Sequence, residues 1–134
     1  MSRSGYHDDY DEDGTLWLYR QAVANAVNGK RGQQLMRDLV AALDAMPVKR
    51  LISGQLEEGG EVCALGSIGK LRNLSMEAID PLEYDDLAKT FNVAPSLARE
   101  VMYENDEGGW KIETPEQRWL RMRDWAMDNL ATKP

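Results

Sequence analysis

The chain is poor in the residues that most often carry chemistry. It has one cysteine, Cys63, and one histidine, His7. A lone cysteine excludes an internal disulfide, and one Cys with one His cannot supply the ligands of an ordinary zinc site. Phe91 is the single phenylalanine, so Leu, Val, Ile and Met must build the core, helped by 4 Trp and 5 Tyr. No run of about eighteen apolar residues is present, so no membrane-spanning helix is expected. The opening Met1-Ser2-Arg3-Ser4-Gly5-Tyr6 lacks the apolar stretch of a secretory signal. With a single thiol, a reducing cytoplasmic setting is the expectation. Positive charge is short as well: 16 Lys and Arg against 23 Asp and Glu leave a formal charge of -7. Such a balance disfavours a phosphate-rich partner unless one face is strongly basic.

What remains suits a globular chain. At 134 residues and 43% hydrophobic, it can bury one core without staples. Residues 1–13 hold Asp8, Asp9, Asp11, Glu12 and Asp13 against Arg3 alone, so they read as an acidic, flexible segment. Residues 14–134 read as a single helical domain.

Apolar residues recur at helical spacing in Leu16, Tyr19, Val23 and Ala26 or Val27. They recur again in Leu35, Met36, Leu39, Val40, Leu43 and Met46, stopped by Pro47. The short Asn28-Gly29-Lys30-Arg31 connection predicts an antiparallel helical hairpin. Further on, Lys49 to Leu56 and Glu61 to Leu65 read as two strands turning at Glu57-Glu58-Gly59-Gly60. Ala64 to Lys70, rich in small residues, reads equally well as a short helix. Asp80-Pro81-Leu82-Glu83 has the form of a helix start, with Leu82, Leu87, Ala88 and Phe91 facing inward and Asn92 closing the helix. Pro95 opens another helix carrying Leu97, Val101 and Met102. Glu104 to Gly109 reads as a polar loop. Thr114-Pro115-Glu116-Gln117 is a second capping box, leading into Trp119, Met122, Ala126 and Leu130. The fold class is therefore mainly α: a single-domain helical bundle of about five helices with a small β-hairpin in the middle.

Residues 82–105 have the outline of a helix-turn-helix, whose second helix would present Ser96, Arg99, Glu100, Tyr103 and Glu104. Base readout favours Arg, Lys, Asn or Gln at such positions, and here two carboxylates would face the phosphates. A DNA-binding regulator using Ser96, Arg99 and Tyr103 is thus an alternative that the net charge disfavours. Asp9-Tyr10-Asp11-Glu12-Asp13-Gly14 opens like a calcium loop, but the twelfth position, where a bidentate Glu belongs, is Arg20. Cys63 sits among apolar neighbours, far in sequence from the only histidine, and reads as a buried structural thiol. Gly66-Ser67-Ile68-Gly69-Lys70 lacks the length and ending of a phosphate loop, so close packing of a helix on the ribbon better explains its glycines. Arg118, Arg121 and Arg123 could meet an anionic partner, but pairing with the chain's own carboxylates is the plainer expectation. No metal, no cofactor and no catalytic set are expected, and the chain leans away from being an enzyme. Acids beside aromatics suit a contact surface for a partner protein, which points to Tyr6, Asp8 and Asp9, and to Tyr103, Glu104, Asn105, Asp106, Glu107 and Trp110.

Several segments in order resemble a group of small phage and prophage proteins. They are Ser2 to Tyr6 followed by acids, Gly29 to Gln33, Leu43 to Pro47, Gly60 to Gly66, Tyr103 to Glu107 and Thr114 to Arg118. The resemblance covers nearly the whole chain. It implies a phage or prophage origin, with the protein acting in the cytoplasm of the host bacterial cell, and carries no catalytic residue or mechanism onto any position. The Asp9-to-Gly14 run departs from the group's shorter acidic stretch, which further weakens the calcium reading. By analogy, small acidic phage proteins often act by binding, so a host or phage protein is the expected partner.

Overall fold

The computed structural model describes residues 15–76, 79–109 and 112–131. The acidic segment, with Tyr6, Asp8, Asp9 and the calcium-like run, lies outside the described residues, as does Trp110. Among the described residues the fold is mainly helical, with six helices and one small hairpin. No described helix is long and apolar enough to cross a membrane.

Helices α1 (Thr15–Asn28) and α2 (Lys30–Ala45) are separated by Gly29 alone, an extended residue with φ -76° and ψ 169°. The break is shorter than the four-residue connection expected, and the two helices press together at the corner. A Cβ on Gly32 would run into the Ala26 carbonyl. The buried Gln33 amide ties this corner to the end of the chain. It donates to the carbonyls of Val27 (2.8 Å) and Asn129 (2.9 Å) and accepts from the Ala131 amide (2.8 Å). Along α2 the apolar spacing does what it predicts: Leu35, Met36, Leu39 and Leu43 are fully buried. At its far end Lys49 Nζ donates to the carbonyls of Leu43 (3.3 Å) and Asp44 (2.6 Å), a cation meeting the negative end of a helix.

The ribbon is much shorter than the sequence suggests. Only β1 (Glu57–Glu58) and β2 (Glu61–Val62) pair, antiparallel, with Glu57 opposite Val62 and Glu58 opposite Glu61. Gly59 (φ 60°) and Gly60 (φ 84°) both take the left-handed conformation that a two-residue hairpin turn requires. The stretch before β1, expected as a strand, is irregular because its partners come from elsewhere in the chain. The Leu51 amide donates to the Pro115 carbonyl (3.0 Å) and the Ile52 amide to the Val62 carbonyl (3.0 Å). Helix α3 (Ala64–Leu71) follows at once, the short-helix reading of that segment. Gly66 is needed there, since a Cβ would collide with the Leu56 carbonyl. Cys63 is fully buried at the helix start, where its Sγ accepts from the Gly66 amide at 3.4 Å.

Helix α4 (Tyr84–Phe91) begins later than the Asp80-Pro81 signal implies. Asp80 Oδ1 accepts from the Leu82 amide (2.9 Å), a local turn that competes with the helix, and Leu82 is left 52% exposed rather than inward. Asn92 closes α4 in the left-handed conformation, φ 57° and ψ 51°. Helix α5 (Pro95–Glu107) then runs through the middle, touching α1, α3, α4 and α6. Helix α6 (Pro115–Asp128) opens on the expected capping box: Gln117 N to Thr114 Oγ1 3.1 Å, Thr114 N to Gln117 Oε1 2.9 Å. Trp119, Met122, Ala126 and Leu130 are buried, and they join one core cluster with α2, α3 and α5. Fully burying each such large side chain contributes about 1.5–3 kcal/mol.

Candidate functional site

The acidic stretch after Tyr103 belongs to the last turn of α5, which continues to Glu107. Asn105 is fully buried and is used by the fold. Its Oδ1 accepts from the Ala64 amide (3.0 Å), capping α3, while its Nδ2 donates to the Ile52 carbonyl (2.9 Å) and to Asp106 Oδ1 (2.9 Å). The expectation that Asn105 faces a partner is corrected by this burial. Asp106 Oδ1 also accepts from the Gly54 amide (3.0 Å), so Asp106 too fixes the irregular stretch before the hairpin.

The α6 arginines complete the cluster. Arg118 donates to the carbonyls of Asn105 (3.1 Å) and Leu51 (2.9 Å), and Arg121 to those of Glu104 (2.6 Å) and Asn105 (3.2 Å). The Glu104 carbonyl also accepts from the Gly108 amide (3.2 Å), and both arginines meet the Asn105 carbonyl in the last turn of α5, cations at the negative end of a helix. Arg121 grips Glu113 through two bonds (3.0 and 2.6 Å), and Arg118 lies 3.3 Å from the same carboxylate. Hydrogen bonding from Arg121 holds the Glu113 carboxyl below the usual glutamate range. Burial pushes Glu104 the other way, upward, with Arg121 opposing. Arg123 pairs with Asp44 at 2.6 Å, so the internal pairing expected of these arginines is what the fold contains.

Tyr103 and Glu107 are half-buried on α5. The Tyr103 phenol is shifted upward, mainly by burial and then by Glu104, Glu107 and Glu100. The residues of the DNA-binding alternative face α1. The Ser96 carbonyl accepts from the Tyr19 hydroxyl (3.3 Å), and the Arg99 guanidinium lies over the rings of Tyr19 (5.2 Å) and Tyr84 (5.5 Å). Helix α5 packs against α1, α3, α4 and α6, whereas a recognition helix needs one face free to enter the major groove. The Cys63 thiol, pushed up to about 12 by burial, stays protonated at neutral pH and is an inert core group.

An apolar concave surface lies elsewhere. Ala42, Ala45 and Met46 at the end of α2, Val48 just beyond, Val62 of β2 and Leu71 of α3 line a groove of about 610 Å³. Val48 and Leu71 are 58% and 44% exposed, and Ser67 lies on the groove's inner side, buried, its hydroxyl donating to the Ala64 carbonyl at 2.6 Å. Two ion pairs stand at the rim, Arg50 with Glu61 (2.5 Å) and Lys70 with Glu57 (3.2 Å). Among the described residues expected from sequence to meet a partner, none lines this groove. Sequence reasoning passes over it because Met46, Val48 and Leu71 look like ordinary core residues. The one local hint is that Val48 and Leu71 each sit beside exposed cations, Lys49 and Lys70. Among the described residues no group of three or more His, Cys, Asp or Glu is placed to hold a metal ion. Comparison with family models, with curated proteins and with solved structures finds no match to the chain.

Proposed function

We propose that this chain is a non-enzymatic binding protein of phage or prophage origin, acting in the host cytoplasm, whose groove beside α3 receives an apolar segment of a partner protein. The observation that carries the reading is the pair of branched side chains, Val48 and Leu71, left exposed on either side of an apolar concavity. Its volume falls in the range, about 300–1,000 Å³, that buries a small ligand or a few anchoring side chains. The rim pairs are exposed, and such pairs contribute only about 0–1 kcal/mol, so an arriving partner can exchange them for its own. Apolar anchors inside a polar rim are the usual anatomy of a protein interface.

The test is capture from host lysate by the immobilised full chain, at low and at moderate salt, beside two groove variants, Val48→Asp and Leu71→Lys. A stoichiometric partner retained by the wild type and lost by both folded variants is expected. Finding no partner in either salt would contradict the reading. So would a partner that ignores both groove changes and is lost when Glu107→Gln is introduced at the end of α5.

A further inference from the structure

Helix α1 is loosely held for its length. Among residues 16–28 only Val27 is buried, with Leu16, Tyr19, Val23 and Ala26 half-buried on the side facing α2 and α5. The opposite side carries Trp17 (59% exposed), Leu18 (62% exposed), Gln21, Ala22, Ala24, Asn25 and Asn28. It contains no charged residue. Arg20, also exposed, stands at the edge between this face and the inner side, where its charge bears on Tyr103 and Glu104 of α5. The outer faces of the other long helices are unlike this. That of α2 exposes Lys30, Arg31, Arg37 and Asp44, and that of α6 exposes Glu116, Asp124 and Asp128.

We infer that the outer face of α1 is a self-association surface, pairing with α1 of a second copy about a two-fold axis near Gln21. Three features choose this occupant. Two copies of a chain with charge -7 repel, and a helix face without charge is where that repulsion is least. A two-fold interface sets each group near its own copy, so its polar groups must be self-complementary. Amides both donate and accept, as carboxylates and ammonium groups do not, and Gln21 and Asn25 are amides. Ala22 and Ala24 keep the helix surface low, allowing close approach while Trp17 and Leu18 supply the apolar area. A membrane surface fits less well, since interfacial helices array Lys and Arg on their polar side and α1 has Arg20 alone. The inference is independent of the groove.

Sedimentation or light-scattering mass of the full chain, at low and at high salt, tests it. The mass is expected to rise toward the dimer at or below about 100 µM. It should rise further between about 50 and about 500 mM salt, because screening removes net repulsion. Trp17→Glu with Leu18→Glu should weaken association at least about tenfold with the thermal midpoint unchanged. Gln21→Lys and Gln21→Glu should each be monomeric alone and dimeric when mixed, while Val48→Asp should dimerise like the wild type. A monomer throughout up to about 1 mM in both salts would overturn the inference. A dimer indifferent to the Trp17, Leu18 and Gln21 changes, or one weakened by salt, would also overturn it.

Discussion

The end of α5 and the groove beside α3 invert the usual placement of polar and apolar groups. At the first, the Asn105 amide, two arginines and the Asp106 carboxylate are packed inward and bonded to backbone from three stretches of chain, residues 51–54, Ala64 and residues 104–105. At the second, Val48 and Leu71 stand in solvent beside exposed ion pairs. Polarity in a sequence suggests exposure and function, and apolarity suggests burial. Here the polar cluster is scaffold, and the apolar groove is the surface left for something else. Buried polar groups are stable only when every donor and acceptor is met, so the scaffold fails steeply when one member is lost. An exposed apolar side chain can be changed with little effect on folding.

The largest effect is expected from Asn105→Ala, which leaves the Ala64 amide and the Ile52 carbonyl buried without their side-chain partner. At about 1–3 kcal/mol for each of the two orphaned groups, urea unfolding should show a loss of at least about 2 kcal/mol. A loss under about 1 kcal/mol would mean that water replaces the amide and the cluster is no keystone. Gly66→Ala comes next: the added Cβ meets the Leu56 carbonyl, so backbone must shift, at about 1–3 kcal/mol in the same measurement.

Glu113→Gln should cost about 2 kcal/mol at neutral pH, because the half-buried Arg121 keeps its position without its carboxylate. This effect has a pH signature. The folded-state pKa of Glu113 lies below its unfolded value, so its stabilisation is complete above the ordinary glutamate value of about 4.3. It is lost as pH falls through the lower folded value, where variant and wild type should converge. Glu104 acts in the opposite sense, since burial raises its pKa and protonation relieves the penalty. A gap between Glu113→Gln and wild type that is constant from neutral to acid pH would show that the pair's charge is irrelevant. The smallest effect belongs to the groove: Val48→Asp should change stability by no more than about 0.5 kcal/mol while abolishing partner capture. A larger destabilisation would place Val48 with the scaffold.

The features legible in the sequence are those decided within a few residues. The α2 stripe, the left-handed stop at Asn92, Pro95 at the start of α5 and the Thr114 capping box all appear where local spacing places them. The failures occur where distant chain decides. Residues 51 and 52 look like strand, and the Ile52 amide does meet Val62 of the expected partner, but their other backbone bonds go to Pro115, Arg118 and Asn105, which no local pattern encodes. At Asp80 the capping residue is real but spends its oxygen on the Leu82 amide, delaying the helix to Tyr84. From sequence Asn105 reads as a surface residue because it sits among acids, and nothing nearby signals the α3 start that it caps. The groove was invisible for the converse reason: an apolar residue shows its burial only when the surrounding elements are in place.

Native-state hydrogen exchange at the Ala64 amide tests the scaffold most directly, because that N–H is bonded to the Asn105 side chain and to nothing that local helix formation supplies. Its opening free energy should equal that of global unfolding in urea, and Asn105→Ala should lower both together. Exchange through a local opening several kcal/mol cheaper than unfolding would contradict the assignment of the α5 end as the structure's fixed point.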